Sequence, residues 1–147
     1  MTVSTERRPT ARVDVETIWG AVAQYLPHPN GGGLVAVTAR VHEDALVHES
    51  AYVEAGAVVG AGASLGASCW VDTDVRVGDG ARIARNVYLG AGSRIGAGAR
   101  IGTGARVGAS VVVAPGARVA TDAVVPDRDV VLAHDRRPRQ DAGTAAR

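Results

Sequence analysis

Residues 89–108 read LGAGSRIGAGARIGTGARVG, in which an aliphatic residue followed by Gly returns every six positions. Followed outward at that spacing from Val35, the series is Val35, Val41, Val47, Val53, Val59, Leu65, Val71, Val77, Ile83, Leu89, Ile95, Ile101, Val107, Val113, Val119, Val125 and Val131. Every member is aliphatic, and no insertion breaks the phase. An unbroken internal repeat is the sequence signature of a solenoid.

The other positions of the hexad agree. Three residues after each aliphatic stands a turn-former, such as Asp74, Asn86, Gly92, Ser110 or Asp122. Gly, Asn, Asp and Ser suit a sharp corner, and Gly and Asn best tolerate its left-handed backbone. Four residues after the aliphatic stands a small or slim residue: Ala45, Ala63, Cys69, Val87, Ser93, Ala117. A slim side chain fits inside a corner. So much Gly and so many β-branched residues exclude a helix. Each hexad therefore reads as a short strand plus a corner. Three hexads close an eighteen-residue coil, and about five coils at strand spacing stack to roughly 25 Å. Phe is absent and aromatics make up 3% of the chain, so the predicted core is narrow and aliphatic.

The pattern seen in VGAGASLGASCW (residues 59–70) and in residues 89–108 resembles the hexapeptide-repeat transferase superfamily. The resemblance covers Val35 to Val131. It implies an all-β fold, a left-handed parallel β-helix, and a homotrimer. The domain plan is residues 1–33 as an N-terminal α-helix and linker, 34–132 as the β-helix, and 133–147 as a polar disordered tail. The helix is placed over residues 14–26, with Asp14 as N-cap and Val15, Ile18, Trp19, Val22 and Leu26 as an apolar stripe. It would cap the first coil or a neighbouring subunit, or recruit a partner. Pro27 would end it and open the flexible linker PHPNGGG.

Composition sets the broad class. The formal net charge is +1, which points to neither nucleic acid nor membrane as partner. The N-terminus lacks the apolar core of a signal peptide, and no apolar run is long enough to span a bilayer. The lone Cys69 forms no disulfide within the chain and, at an inward corner, reads as core. A cytoplasmic location is expected.

The residue before each aliphatic points outward, and residues eighteen apart stack. The first column is Arg40, Val58, Arg76, Arg94, Val112; the second is Leu46, Ser64, Arg82, Arg100, Arg118; the third is Tyr52, Trp70, Tyr88, Arg106, Val124. The aromatic ladder of the third column reads as a subunit interface or a substrate-stacking surface. The arginines of the second column read as an anion site or a solvated face. The superfamily resemblance implies a transfer of an acyl group from acetyl-CoA or another acyl-CoA to a small amine or hydroxyl acceptor. Such transferases use a histidine as general base. On the coils only His42 and His48 are available, and His48 is the better placed; Arg100 and Arg118 would hold phosphate. His28 and His134 lie at the two ends.

Several family features are missing. The closing segment ATDAVVPDRDVVLAHD (residues 120–135) resembles that of hexapeptide acetyltransferases, but His134-Asp135-Arg136-Arg137 replace its small-Pro-Ala-Arg end. The unbroken phase leaves no room for the loop that often closes the site. Residues 68–90 loosely resemble the central coils of γ-type carbonic anhydrases, yet Ala84-Arg85 and Gly90 stand where Gln-Asp and the first zinc ligand belong. No metal is expected. The alternative to an acyltransferase is a non-catalytic scaffold or assembly subunit of the same fold.

Overall fold

A computed structural model describes residues 13–16 and 22–133. The hexads form the solenoid that their period predicts. Two-residue strands, each ending on the repeating aliphatic, alternate with tight corners from Arg40–Val41 to Val130–Val131. They stack in three parallel sheets, one per face, in about five turns. The register confirms the columns. Trp70 pairs with Tyr52 and Tyr88, Arg76 with Val58 and Arg94, and Arg100 with Arg82 and Arg118. Each coil bonds to the next through its backbone, as from Trp70 N–H to the Val87 carbonyl at 2.9 Å.

The core is one narrow column. The repeating aliphatics fill the axis and the small residues at the corners close around them. Leu65 and Leu89 are fully buried, and each such side chain contributes about 1.5–3 kcal/mol by leaving water. Val41, in the first coil, is only partly buried.

The corners explain the turn-formers. Ser68, Asp74, Asn86, Ser110 and Asp122 have φ between 56° and 60°. Arg128 takes the same conformation, with φ of 64°, without a turn-forming side chain. Its N–H bonds the Ala109 carbonyl of the coil beneath at 2.9 Å, so the stack imposes the corner. Gly90 answers a second demand: a Cβ there would lie 2.5 Å from the backbone of Gly108 in the next coil.

The N-terminal helix does not form in the described residues. Val13–Glu16 (β1) and Val22–Pro27 (β2) are strands, paired antiparallel with Val13 opposite Tyr25; residues 17–21 lie outside the described residues. β2 in turn pairs antiparallel with Leu34–Ala36 (β3), Tyr25 opposite Ala36. β3 belongs to the third face, so the hairpin extends that sheet beyond the first coil. Two physical reasons override the helical spacing. Val13-Asp14-Val15-Glu16 alternates with a period of two, and β3 offers an edge of unpaired backbone groups for a strand to satisfy. Tyr25 secures the hairpin. It is buried, meets Tyr52 edge-on at 6.2 Å, and donates its hydroxyl to Glu54 at 2.6 Å.

Residues 28–33 fold beneath the first coil. His28 N–H bonds the Gly33 carbonyl at 2.7 Å, and Val47 N–H bonds the Asn30 carbonyl at 3.0 Å. His28 itself is buried, its Nε2 2.8 Å from the Ala45 carbonyl. Residues 134–147, which include the expected tail and His134, lie outside the described residues. Among the described residues no helix is long and apolar enough to cross a membrane.

Candidate functional site

His42 and His48 follow the aliphatic of successive hexads in the first coil, so each opens a corner. Both rings turn inward along their own corner. Nδ1 of His42 accepts the Asp44 N–H at 3.0 Å, and Nδ1 of His48 accepts the Ser50 N–H at 3.1 Å. The reason lies in the stack. In later coils the N–H at this corner position bonds a carbonyl of the coil beneath: Asp74 to Ala55, Asn86 to Ala67, Ser110 to Ala91, Asp122 to Thr103. The first coil has no coil beneath it to accept these exposed N–H groups. The imidazoles supply the missing acceptor. Asp44 and Ser50 also keep negative φ, unlike their counterparts above.

This bonding fixes the tautomer. A backbone N–H can only donate, so neutral His42 and His48 each hold their proton on Nε2. The outward nitrogen then donates rather than accepts. For Nε2 to act as general base the opposite arrangement is needed, with Nδ1–H held by an acceptor and a free lone pair at Nε2. The Asp44 carboxylate lies 3.8 Å from Nδ1 of His42, on the same side as the N–H. His48 has no carboxylate at its ring; the Ser50 hydroxyl sits 3.0 Å from Nδ1 and accepts the Ser68 N–H at 2.9 Å.

The candidate residues are not brought together within one chain. Arg100 and Arg118 are register neighbours on the second face. The second column above the His48 corner runs through Ser64 and Arg82 before reaching them. At strand spacing that separates His48 from Arg100 by about 14 Å and from Arg118 by about 19 Å along the axis. His42 borders a different shallow groove, with Arg40, Val58 and Asp79.

Arg82, Arg100 and Arg118 are all exposed, and among the described residues none has an ion-pair partner. Adjacent strands bring their backbones about 4.8 Å apart. Two positive charges at that distance repel by about 1 kcal/mol even in water.

The third face carries a groove. It is lined by Ser68, Trp70, Asn86, Val87, Tyr88 and Arg106, with a volume of about 600 Å³. Trp70 meets Tyr88 edge-to-face at 5.7 Å and is 50% exposed. The Tyr88 hydroxyl donates to the Asp72 carboxylate. That bond, with burial added, pushes the phenol up to about 12. The T-shaped contact makes the ladder a ridged surface rather than a flat stacking platform. The Tyr88–Asp72 bond is not visible in the repeat, because residues sixteen apart meet only once the coil diameter is known.

Two buried polar groups sit inside corners. Cys69 donates its S–H to the Ala84 carbonyl at 2.7 Å, and burial raises its thiol pKa. Ser93 donates to the Gly108 carbonyl at 2.7 Å and accepts the Val111 N–H at 3.0 Å. Both are spent on the core. Among the described residues no three His, Cys, Asp or Glu side chains gather as a metal would need.

An eighteen-residue coil with aliphatic axis, three parallel sheets and left-handed corners defines a hexapeptide-repeat protein of the β-helix class. The model of the GMPPB C-terminal domain family matches residues 31–133, and the chain belongs to that family. No curated protein matches the sequence. Among solved structures, PerB from Caulobacter crescentus in complex with CoA and GDP-perosamine shares 24% identity, with a TM-score of 0.49 over 67% of this chain and 49% of that one. The acetyltransferase domain of PglB from Neisseria gonorrhoeae, in complex with acetyl coenzyme A, shares 28% identity, with a TM-score of 0.40 over 71% of this chain and 56% of that one. A hexapeptide transferase family protein from Anaplasma phagocytophilum shares 20%, with a TM-score of 0.41 over 67% and 68%. The chain thus spans about half of PerB and of the PglB domain.

Proposed function

We propose that this chain is a non-catalytic hexapeptide-repeat module, a homotrimer that acts as a scaffold or assembly subunit in the cytoplasm. One observation carries the reading: both coil histidines use Nδ1 to cap the first coil, which leaves the outward nitrogen protonated. A prism whose two coil histidines present an N–H outward and spend the lone pair on their own corner retains faces and edges as its working parts. The third face supplies the contact surface, with Tyr52 and Trp70 exposed on adjacent strands and Trp70 lining one groove with Arg106.

The experiment is light scattering on the purified protein, with Trp70→Arg beside it. A trimer that the substitution breaks into monomers supports the module. A monomer in the parent protein overturns it.

The unpaired second-column arginines favour a second reading, an acyl-CoA-dependent transferase acting on a small amine or hydroxyl acceptor. Arg100 and Arg118 would hold coenzyme phosphates, and the coenzyme would supply the thioester. His48 or His42 would then exchange its corner bond for one that frees Nε2, and a neighbouring subunit would bridge the gap to the arginines. Thiol release from acetyl-CoA with a panel of amines and amino sugars tests this reading. Release that His48→Ala abolishes would replace the first reading with the second.

A further inference from the structure

Residues 80–121 contain Arg82, Arg85, Arg94, Arg100, Arg106 and Arg118, and not one Asp or Glu. The formal charge of that stretch is +6, in a chain whose total is +1. The acids lie below it, in Asp72, Asp74 and Asp79, and above it, in Asp122, Asp127 and Asp129. Because the coil brings every sixth residue to the next face, this stretch encircles the prism. Arg94, Arg100 and Arg106 stand on its three faces in succession.

The charge is densest on the second face. There Arg82, Arg100 and Arg118 are in direct register on three adjacent strands. All three are exposed and none is neutralised among the described residues. The corner beside them is Gly78-Asp79-Gly80, Gly96-Ala97-Gly98 and Ala114-Pro115-Gly116, where the one acid, Asp79, accepts the Ala61 N–H at 3.0 Å.

We propose that this ladder binds a linear polyphosphate chain laid along the solenoid axis. A second copy of the chain packed at equal height fits poorly. At the level of Arg100 it would present only residues 88–105, which hold no acid. An extended acidic peptide fits poorly too, since its carboxylates on one side repeat at about 6.6 Å against a ladder of about 4.8 Å. A single-stranded nucleic acid is held by aromatic stacking as well as charge, and the second column, Leu46, Ser64, Arg82, Arg100, Arg118, has no aromatic. A phosphoanhydride chain carries a charge on every unit, closer together than the rungs. Each guanidinium fork then meets phosphate oxygens in any register. This proposal does not rest on the module reading, and it competes with the coenzyme reading for Arg100 and Arg118.

The test is fluorescence anisotropy with end-labelled long-chain polyphosphate on the full chain. Tripolyphosphate, CoA, an oligothymidylate of matched charge and phosphatidylserine vesicles serve as competitors. Binding should weaken linearly in log–log plots against salt, with a slope set by about three neutralised phosphates. Arg100→Gln should lower affinity about tenfold and reduce the slope by about one. Arg82→Gln and Arg118→Gln should act alike, while Arg40→Gln in the first coil should change nothing. Among the described residues these exposed side chains make no hydrogen bond or ion pair, so unchanged thermal melting will certify the variants. Three results would overturn the proposal: no salt-dependent binding, undiminished binding by the triple variant, or displacement at equal or lower concentration by any of the four competitors. Displacement by CoA or tripolyphosphate would mark a small-ligand site instead.

Discussion

The Ser50 N–H points at Nδ1 of its near neighbour His48, 3.1 Å away, and so receives from a side chain the bond that later coils receive from the coil beneath. The Ser50 hydroxyl extends the cap by accepting the Ser68 N–H. His48→Ala should therefore lower stability, by about 0.5–1 kcal/mol, the lower part of the hydrogen-bond range, because this exposed corner can recruit water. His48→Asn should restore most of it, since an Asn side chain can accept the N–H two residues on. Urea unfolding of the three proteins checks both statements. Equal stability of the parent protein and His48→Ala would remove the capping role.

The two bonded tyrosines differ in what perturbs them. Burial is the main cause at Tyr25, followed by its bond to Glu54, and the phenol is pushed up to about 12. At Tyr88 the bond to Asp72 comes first. Asp72→Asn should thus return Tyr88 toward 10, whereas Glu54→Gln should leave Tyr25 well above it. The sign for stability follows. Unfolded tyrosine ionises near 10, so between about 10 and 12 the unfolded chain has lost protons that the folded one keeps. Stability falls as pH rises through that window. Spectrophotometric titration of the three tyrosines in each variant checks the assignment.

How much of this was legible beforehand depends on whether a residue answers to the repeat. Val71, Asp74 and Val75 each obey a positional rule, so axis, corner and inner wall could be read directly. β1 and β2 obey none. Val13-Asp14-Val15-Glu16 fits two periods, and the choice is made by β3, an edge some twenty residues further on. For His48 the place outside the axis is visible in the repeat, but the direction of its Nδ1 depends on the absence of a coil below. Net charge misled in another way. A total of +1 averages the acid-free residues 80–121 with the acidic coils on either side, whereas the eighteen-residue spacing sets Arg82, Arg100 and Arg118 in line and the strand register confirms it.

Acid should weaken the N-terminal end first. Burial lowers the pKa of His28, against a smaller opposing effect of its bond to the Ala45 carbonyl. Below its ordinary value of about 6.5 the unfolded chain takes up a proton that the folded chain refuses. The unfolded state then binds more protons, so stability falls as pH drops below about 6.5 and levels only beneath the folded pKa. His28→Gln should flatten that part of the profile relative to the parent. Hydrogen exchange at acidic pH should show the bonds of Gly33 and Val47 opening before those of Leu89.

Ser93 tests how far the inner wall tolerates polarity. Its hydroxyl is fully buried and occupied on both sides, by the Gly108 carbonyl and the Val111 N–H. Most inner-wall corners hold Ala, so Ser93→Ala conforms to the repeat and would look harmless by sequence pattern. The bonds say otherwise. Removing the hydroxyl deprives the Val111 N–H of its acceptor inside a wall that water does not reach, a loss of about 1–3 kcal/mol. Ser93→Cys should cost less, because Cys69 makes the equivalent bond to Ala84 at another corner. Thermal and urea unfolding rank the three proteins, and a Ser93→Ala variant as stable as the parent would mean that the corner backbone finds another partner.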